Sequence, residues 1–155
     1  MASKRSEITM TEDEVRSYLE SERVLNVATI GPTGHPHLVA MWFTVMDGNV
    51  SFWTFSKSQK IVNLRRDPKM TGLVESGSVY DQLRGVELRG RGIIVDDYET
   101  ILEIGKAVSV KYNGPSALSD AGLPFLEAQA TKRVGVVFEV DHVASWDHTK
   151  LAGRF

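Results

Sequence analysis

The apolar positions of this chain fall into short runs, spaced by two in extended segments and by three to four in helical ones, and their order predicts the architecture. Thr11 and Glu14 have capping-box spacing, Met10 and Val15 that of a hydrophobic staple, and Val15, Tyr18 and Leu19 form an apolar stripe, so a short N-terminal helix is expected against the core. Residues 24–30 are a nearly continuous apolar run broken by Asn26 and Thr29, as in a buried strand, and Gly31-Pro32-Thr33-Gly34 turns the chain. Residues 37–46 read as a second strand. Asp47-Gly48, followed by Asn49, is a hairpin signal, and residues 50–54 return as a third strand. Residues 70–75 form a fourth, and residues 86–95 a long fifth whose Gly90 and Gly92 point to a bend, a bulge or a close approach. Asp96 and Glu99 are placed to cap a helix with Ile101, Ile104, Val108 and Tyr112 on its apolar stripe, and Asn113-Gly114-Pro115 stops it. A shorter helix lies within 119–133, and residues 134–140 alternate as a sixth strand. Strands in meander order with one inserted helix, then a helical pair and a returning strand, predict a mainly β fold with peripheral helices, a small antiparallel barrel. A doubly wound parallel sheet is disfavoured because helices do not alternate with strands.

Composition narrows the function classes. The length predicts one domain over residues 1–155, with a loose N-terminus at 1–8 and a tail at 145–155. A net charge of −2 argues against bulk attraction to nucleic acid or an anionic membrane, so no nucleic-acid partner is expected. The absence of cysteine excludes thiol nucleophiles, disulfides and cysteine-ligated metal sites. The N-terminus lacks an apolar signal core, and no run approaches the roughly eighteen apolar residues of a membrane span, so a cytoplasmic protein with no membrane partner is expected.

Residues 52–68 carry the clearest chemistry. The stretch leaves a strand, passes a serine-rich turn and enters a helix that Asp67-Pro68 ends. Ser56 and Gln59 fit a capping box, predicting a helix from about Lys57 whose free N–H groups favour an anion. Lys57 and Lys60 fall in that first turn, where the helix dipole disfavours cations by up to about 1 kcal/mol each. A bound phosphate would remove the conflict, held by backbone dipoles, by hydroxyls of Thr54, Ser56 or Ser58, and by both ammonium groups. The bland alternative is an amphipathic helix with solvated lysines.

The order of Asn26-Val27-Ala28-Thr29-Ile30-Gly31-Pro32-Thr33-Gly34-His35-Pro36, Met41-Trp42-Phe43, Lys60-Ile61-Val62-Asn63-Leu64-Arg65-Arg66-Asp67-Pro68 and Leu88-Arg89-Gly90-Arg91-Gly92 resembles the pyridoxamine 5′-phosphate oxidase-like superfamily. More narrowly it is similar to the branch of flavin and deazaflavin proteins that uses coenzyme F420. The resemblance spans roughly residues 11–146. It implies a six-stranded antiparallel split β-barrel acting as a homodimer, with a cofactor in each of two clefts between subunits. The tricyclic ring is then expected on Met41, Trp42 and Phe43, and the phosphate around Thr54, Ser56, Lys57 and Lys60, which coincides with the anion site read from the residues. Trp146 would correspond to a tail aromatic that reaches a cofactor across the dimer. Two departures disfavour vitamin B6 oxidation. Val39 stands where the true oxidases carry a phosphate-binding arginine, and their basic C-terminal substrate motif is missing.

The remaining candidates are weaker. His35 and His37 lack a third ligand nearby, so no metal site is expected. Asp147 and His148 read as solvated tail residues, and no Gly-x-Ser-x-Gly motif occurs. The leading expectation is an F420-dependent oxidoreductase transferring hydride between the cofactor and a small unsaturated organic acceptor, with the hard chemistry belonging to the cofactor. FMN is the alternative cofactor, and a non-catalytic flavin, deazaflavin or tetrapyrrole-binding protein the alternative class. No catalytic residue is assigned; solvent, Tyr80, His148 and Lys57 are the candidate proton donors.

Overall fold

Five α-helices and seven strands are present among the described residues of the computed structural model, which describes residues 3–151 and residue 153. Helices α1 (Lys4–Ile8) and α2 (Glu12–Ser21) lead into strands β1 (Leu25–Ile30), β2 (Pro36–Met41), β3 (Thr44–Met46) and β4 (Asn49–Phe55). Helix α3 (Gln59–Arg66) is followed by β5 (Lys69–Ser76), β6 (Arg84–Val95), α4 (Tyr98–Asn113), α5 (Gly122–Ala130) and β7 (Arg133–Asp147). Local signals explain most of these boundaries. The Thr11 hydroxyl accepts from the Glu14 amide at the start of α2. The two-residue β3–β4 hairpin places Asp47 at φ 50° and Gly48 at φ 81°, the left-handed pair its tight turn requires. Gly114, at φ 78°, ends α4.

All seven strands form one antiparallel sheet in the order β2-β1-β5-β6-β7-β4-β3. Strands β2 and β3 therefore lie at opposite edges, yet only Trp42 and Phe43 separate them. Three peptide steps reach at most about 11 Å, so the sheet must curl until its edges approach: it is a split barrel. Its interior holds Leu25, Val27, Phe43, Phe52, Ile61, Val74, Val86, Val136 and Phe138, all fully buried. Each contributes roughly 1.5–3 kcal/mol by leaving water. A second, smaller cluster of Ile101, Leu102, Leu126 and Ala130, with Trp53 against it, seats α4 and α5 on the outside of the barrel. The glycine expectation in the fifth strand is met at Gly90. There β6 shifts register against β7, and a Cβ would lie 1.9 Å from the Glu139 carbonyl oxygen.

Four sequence expectations change. The strand expected at 37–46 is two strands, because the closing sheet breaks it at Trp42-Phe43, so the barrel has seven strands rather than six. The sixth expected strand continues to Asp147, and Trp146 therefore belongs to the sheet rather than to a tail; residues 152, 154 and 155 of that tail lie outside the described residues. The segment expected to be loose at 1–8 carries α1, capped by the Ser3 hydroxyl. Asp97, not Asp96, caps α4, accepting from the Thr100 amide at 3.0 Å.

Candidate functional site

Alternation along β4 sends Phe52 and Thr54 into the barrel and Trp53 and Phe55 to the outside. After Phe55 the chain turns tightly: the Ser56 amide donates to the Lys132 carbonyl, and the Ser58 amide to that of Phe55. These bonds keep 56 and 57 out of the helix, so α3 starts at Gln59 with Ser58 as its N-cap, and the expected Ser56–Gln59 capping box does not form. Gln59 donates instead to Asn63 Oδ1, while Asn63, fully buried, donates to Thr29 Oγ1 at 3.0 Å and ties α3 to β1.

Lys60 is the unusual residue of this helix. Only 8% of it is exposed, and its ammonium donates to Thr54 Oγ1 at 3.0 Å. No carboxylate pairs with it among the described residues. Burial holds its pKa below the ordinary lysine value, and the charge of Arg133 lowers it further. Two residues earlier, at the N-cap of α3, the Ser58 hydroxyl is buried without a hydrogen-bond partner. Ser56 and Lys57 are exposed and share a shelf of about 430 Å³ with Phe55 and Lys132. The buried Lys60–Thr54 pair and the unpartnered Ser58 hydroxyl thus flank one strand–turn–helix junction, with Ser56 and Lys57 exposed in its turn.

The barrel seam supplies the second part. Trp42, 54% exposed, stacks on Tyr112 of α4 at 4.4 Å and 10°. The Tyr112 hydroxyl accepts from the Phe43 amide at 3.1 Å and donates to the Arg23 carbonyl, fastening the crossing between β2 and β3. Met41 is half-buried, whereas the Phe43 side chain is sealed in the core, with Lys111 Nζ 3.7 Å from its ring centre. The Phe43 ring is thereby closed to a ligand.

Outside β4, Arg133 pairs in register with Phe55 and lies over two rings, 4.7 Å from that of Trp53 and 4.4 Å from that of Phe55. Its side chain reaches Gln129 Oε1 at 3.5 Å, and its Nε is buried without a partner. Burial lowers its pKa. Trp53 packs on Gly105, where a Cβ would lie 2.4 Å from the indole. Met41, Trp42, Trp53, Asn113, Phe125 and Arg133 border a cleft of about 480 Å³. Sequence reasoning missed Arg133 and Tyr112. The Lys132-Arg133 pair opening a strand was the visible signal for the first, but only the β4–β7 register brings it to Phe55.

The other candidates lie apart. Trp146 pairs with Gly85, its indole filling the space a side chain there would need, and lines a recess of about 360 Å³ with Arg5, Arg89 and His148. His148 Nδ1 lies 2.8 Å from the Tyr80 carbonyl oxygen, with the two rings edge to face at 4.7 Å. None of these borders the recesses around Lys57 or Trp42. Among the described residues no group of acidic, histidine or cysteine side chains is placed to hold a metal ion, and no helix is long and apolar enough to cross a membrane.

Comparison with known proteins follows this geometry. A model of the family described as pyridoxamine 5′-phosphate oxidase matches residues 11–147. The chain is similar to a conserved hypothetical protein from Mycobacterium tuberculosis, with 43% identity, a TM-score of 0.91, and 97% of this chain and 93% of that one covered. It is also similar to a solved protein described as an F420 reductase, at 26% identity and a TM-score of 0.65, covering 83% of this chain and 94% of that one. An FAD-binding protein from Mesorhizobium loti, 20% identical over 88% of this chain and 94% of that one with a TM-score of 0.64, shares the fold. No match is found among curated proteins.

Proposed function

This chain belongs to the pyridoxamine 5′-phosphate oxidase family, and from that membership we propose an oxidoreductase that uses the deazaflavin F420 to transfer hydride between the cofactor and a small unsaturated organic acceptor. One observation carries the reading: a buried ammonium, Lys60, with no acidic partner among the described residues, at a strand–turn–helix junction whose N-cap hydroxyl, Ser58, is also buried and unpartnered. A buried cation is costly unless paired, and a phosphate is the partner this donor set fits. Thr54, Ser58 and Lys60 would hold the phosphate, with Ser56 and Lys57 at its exposed side. Met41, Trp42 and the Phe43 backbone would border the ring. Bound F420 supplies a ring carbon that gives or accepts hydride; the chain's own residues orient it and keep water from the path. The polar lining of the adjoining cleft, Ser109, Asn113, Gln129 and Arg133, holds no acid in the neutral pH range, so solvent is the proposed proton source. The similarity to the F420 reductase supports this cofactor over FMN, which the same donor set would also accept.

The protein is proposed to act in the cytoplasm as a homodimer. Leu38, Ala28 and Thr71 form a cross-strand row on the sheet face opposite the barrel interior, and Leu38 is 69% exposed. Trp146, near the end of β7 opposite Gly85, would serve the partner's cofactor. Sedimentation at twice the monomer mass is the expected result, and a monomer at all concentrations would remove the shared cleft.

The test of function is a pair of fluorescence titrations, with F420 and with FMN, on protein from a host that makes only FMN. Colourless protein that binds F420 at least tenfold more tightly than FMN is the expected outcome. The reverse order would replace the cofactor, and failure of both would overturn the oxidoreductase reading.

A further inference from the structure

The cleft outside β4 has a composition that hydride transfer alone does not require. Its walls are aromatic: Trp42 across the seam, Trp53 on the strand, and Phe125 of α5, which is 63% exposed. The polar groups on its lining include one charge, the Arg133 guanidinium, and no carboxylate. Among the described residues Arg133 makes no ion pair; its polar contact is the 3.5 Å approach to Gln129, and its Nε is buried without a partner. The guanidinium is also packed over the Trp53 and Phe55 rings, which spares a ligand part of the entropy of ordering it.

Strand geometry separates this cation from the Lys60 cradle. Thr54 and Phe55 are adjacent and so point to opposite faces of β4. Lys60 bonds Thr54, whereas Arg133 stands directly across from Phe55 on the other face. We infer that the cleft bordered by Trp42, Trp53, Phe125 and Arg133 binds a planar conjugated acid, with the ring system between the aromatic walls and a carboxylate on the guanidinium of Arg133. Aromatic faces offset-stack on a flat π-system, and the fork of a guanidinium matches a carboxylate's two oxygens. A cleft of about 480 Å³ admits a two- or three-ring compound. Resting on the oxidoreductase reading, this makes the hydride acceptor a conjugated carboxylic acid and Arg133 the residue that selects it.

The test is calorimetric titration of the full chain with 2-naphthoate and with its neutral counterpart, 2-naphthylmethanol. Naphthoate is expected to bind roughly tenfold or more tightly than the alcohol, as for a charge-assisted pair. Arg133→Gln should erase that preference, Arg133→Lys should keep part of it, and Phe125→Ala should weaken both ligands alike. Titration of Arg133→Gln with F420 should leave the dissociation constant within about threefold of the parent. Equal binding of the acid and the alcohol, or a preference that survives Arg133→Gln in a variant with an unchanged melting curve, overturns the inference. A parallel loss of F420 and naphthoate would assign Arg133 to the phosphate cradle and overturn it as well. Naphthoate preference in a chain that binds neither F420 nor FMN leaves the acid cleft standing and removes the oxidoreductase reading instead.

Discussion

Strand β4 separates two surfaces that share a backbone and little else. On its inner side Thr54, the next inward-facing residue after the buried Phe52, accepts a hydrogen bond from a buried lysine at the start of α3. On its outer side Arg133 lies over the rings of Trp53 and Phe55, and Trp53 and Arg133 look onto a wide cleft walled by α4 and α5. The contrast follows from the two-residue period of a strand, which lets consecutive residues serve unrelated environments. It also places on opposite faces of the strand two cations whose charges are close enough to influence each other. Lys60, deep and compact, suits a point-charge contact with a phosphate; Arg133, flat and stacked, suits a ligand with a ring and a planar acid.

The comparison breaks most visibly at Gly105. Leucine there would drive its side chain into the Trp53 indole, which already occupies the space a Cβ would take. Gly105→Leu is expected to cost about 3 kcal/mol, lowering the melting temperature by roughly 6–12 °C, and to weaken 2-naphthoate while sparing F420 affinity. Thermal melts with the two titrations check this, and equal loss of both ligands would mean the faces of β4 are not independent. Next in size is Lys60→Met. F420 affinity should fall by about 2 kcal/mol, roughly 30-fold, while naphthoate binding stays put and the ligand-free protein is at least as stable, because an unpaired buried cation has gone. A variant that melts lower but binds F420 normally would make Lys60 a structural residue. In the parent protein, F420 binding should also weaken on the alkaline side earlier than an ordinary lysine would dictate, because the Lys60 pKa is lowered, and Lys60→Met should abolish that dependence.

The smallest effect concerns α4, the helix behind the outer surface. Burial, with Arg23 adding to it, lowers the pKa of Lys111 from 10.5 to about 8. A base whose folded pKa lies below its unfolded value costs stability where both states are protonated, below about pH 8. That cost fades as the pH rises toward 10.5, so stability gains a rising contribution across this window. Lys111 is half-exposed and bonds the Leu19 carbonyl at 3.3 Å, so the amplitude is modest. Urea unfolding at pH 8 and pH 10 should show a smaller rise for Lys111→Met than for the parent, and identical slopes would exclude Lys111 as the source.

How much of this was legible depended on sequence distance. Thr54, Ser56, Lys57 and Lys60, the expected phosphate site, lie within one strand–turn–helix; the structure joins Lys60 to Thr54 there, while the turn hydrogen bonds leave Ser56 and Lys57 exposed and move the helix start from Lys57 to Gln59. The Asp47-Gly48 hairpin and the stop at Gly114 were equally local, since each depends on the φ angle of one or two residues. The second half of β7 was not legible. Residues 139–143 are exposed and lack an apolar rhythm, because pairing with β6 rather than burial keeps them extended. The break at Trp42-Phe43 was also hidden, since 37–46 reads as one apolar strand and only the closing of the sheet divides it.

By itself, then, the order of residues determined the element types, the hairpin and the recessed cation, all products of short-range backbone preferences and of burial periodicity. Tertiary structure alone decided that Trp42 crosses the barrel seam onto Tyr112, that Trp146 ends a strand and borders a different recess from Lys57, and that Arg133 lies over two rings from another strand. Those contacts join positions far apart in the chain, and their register is set by the hydrogen-bond ladder and the curl of the whole sheet, quantities that no local run of residues encodes.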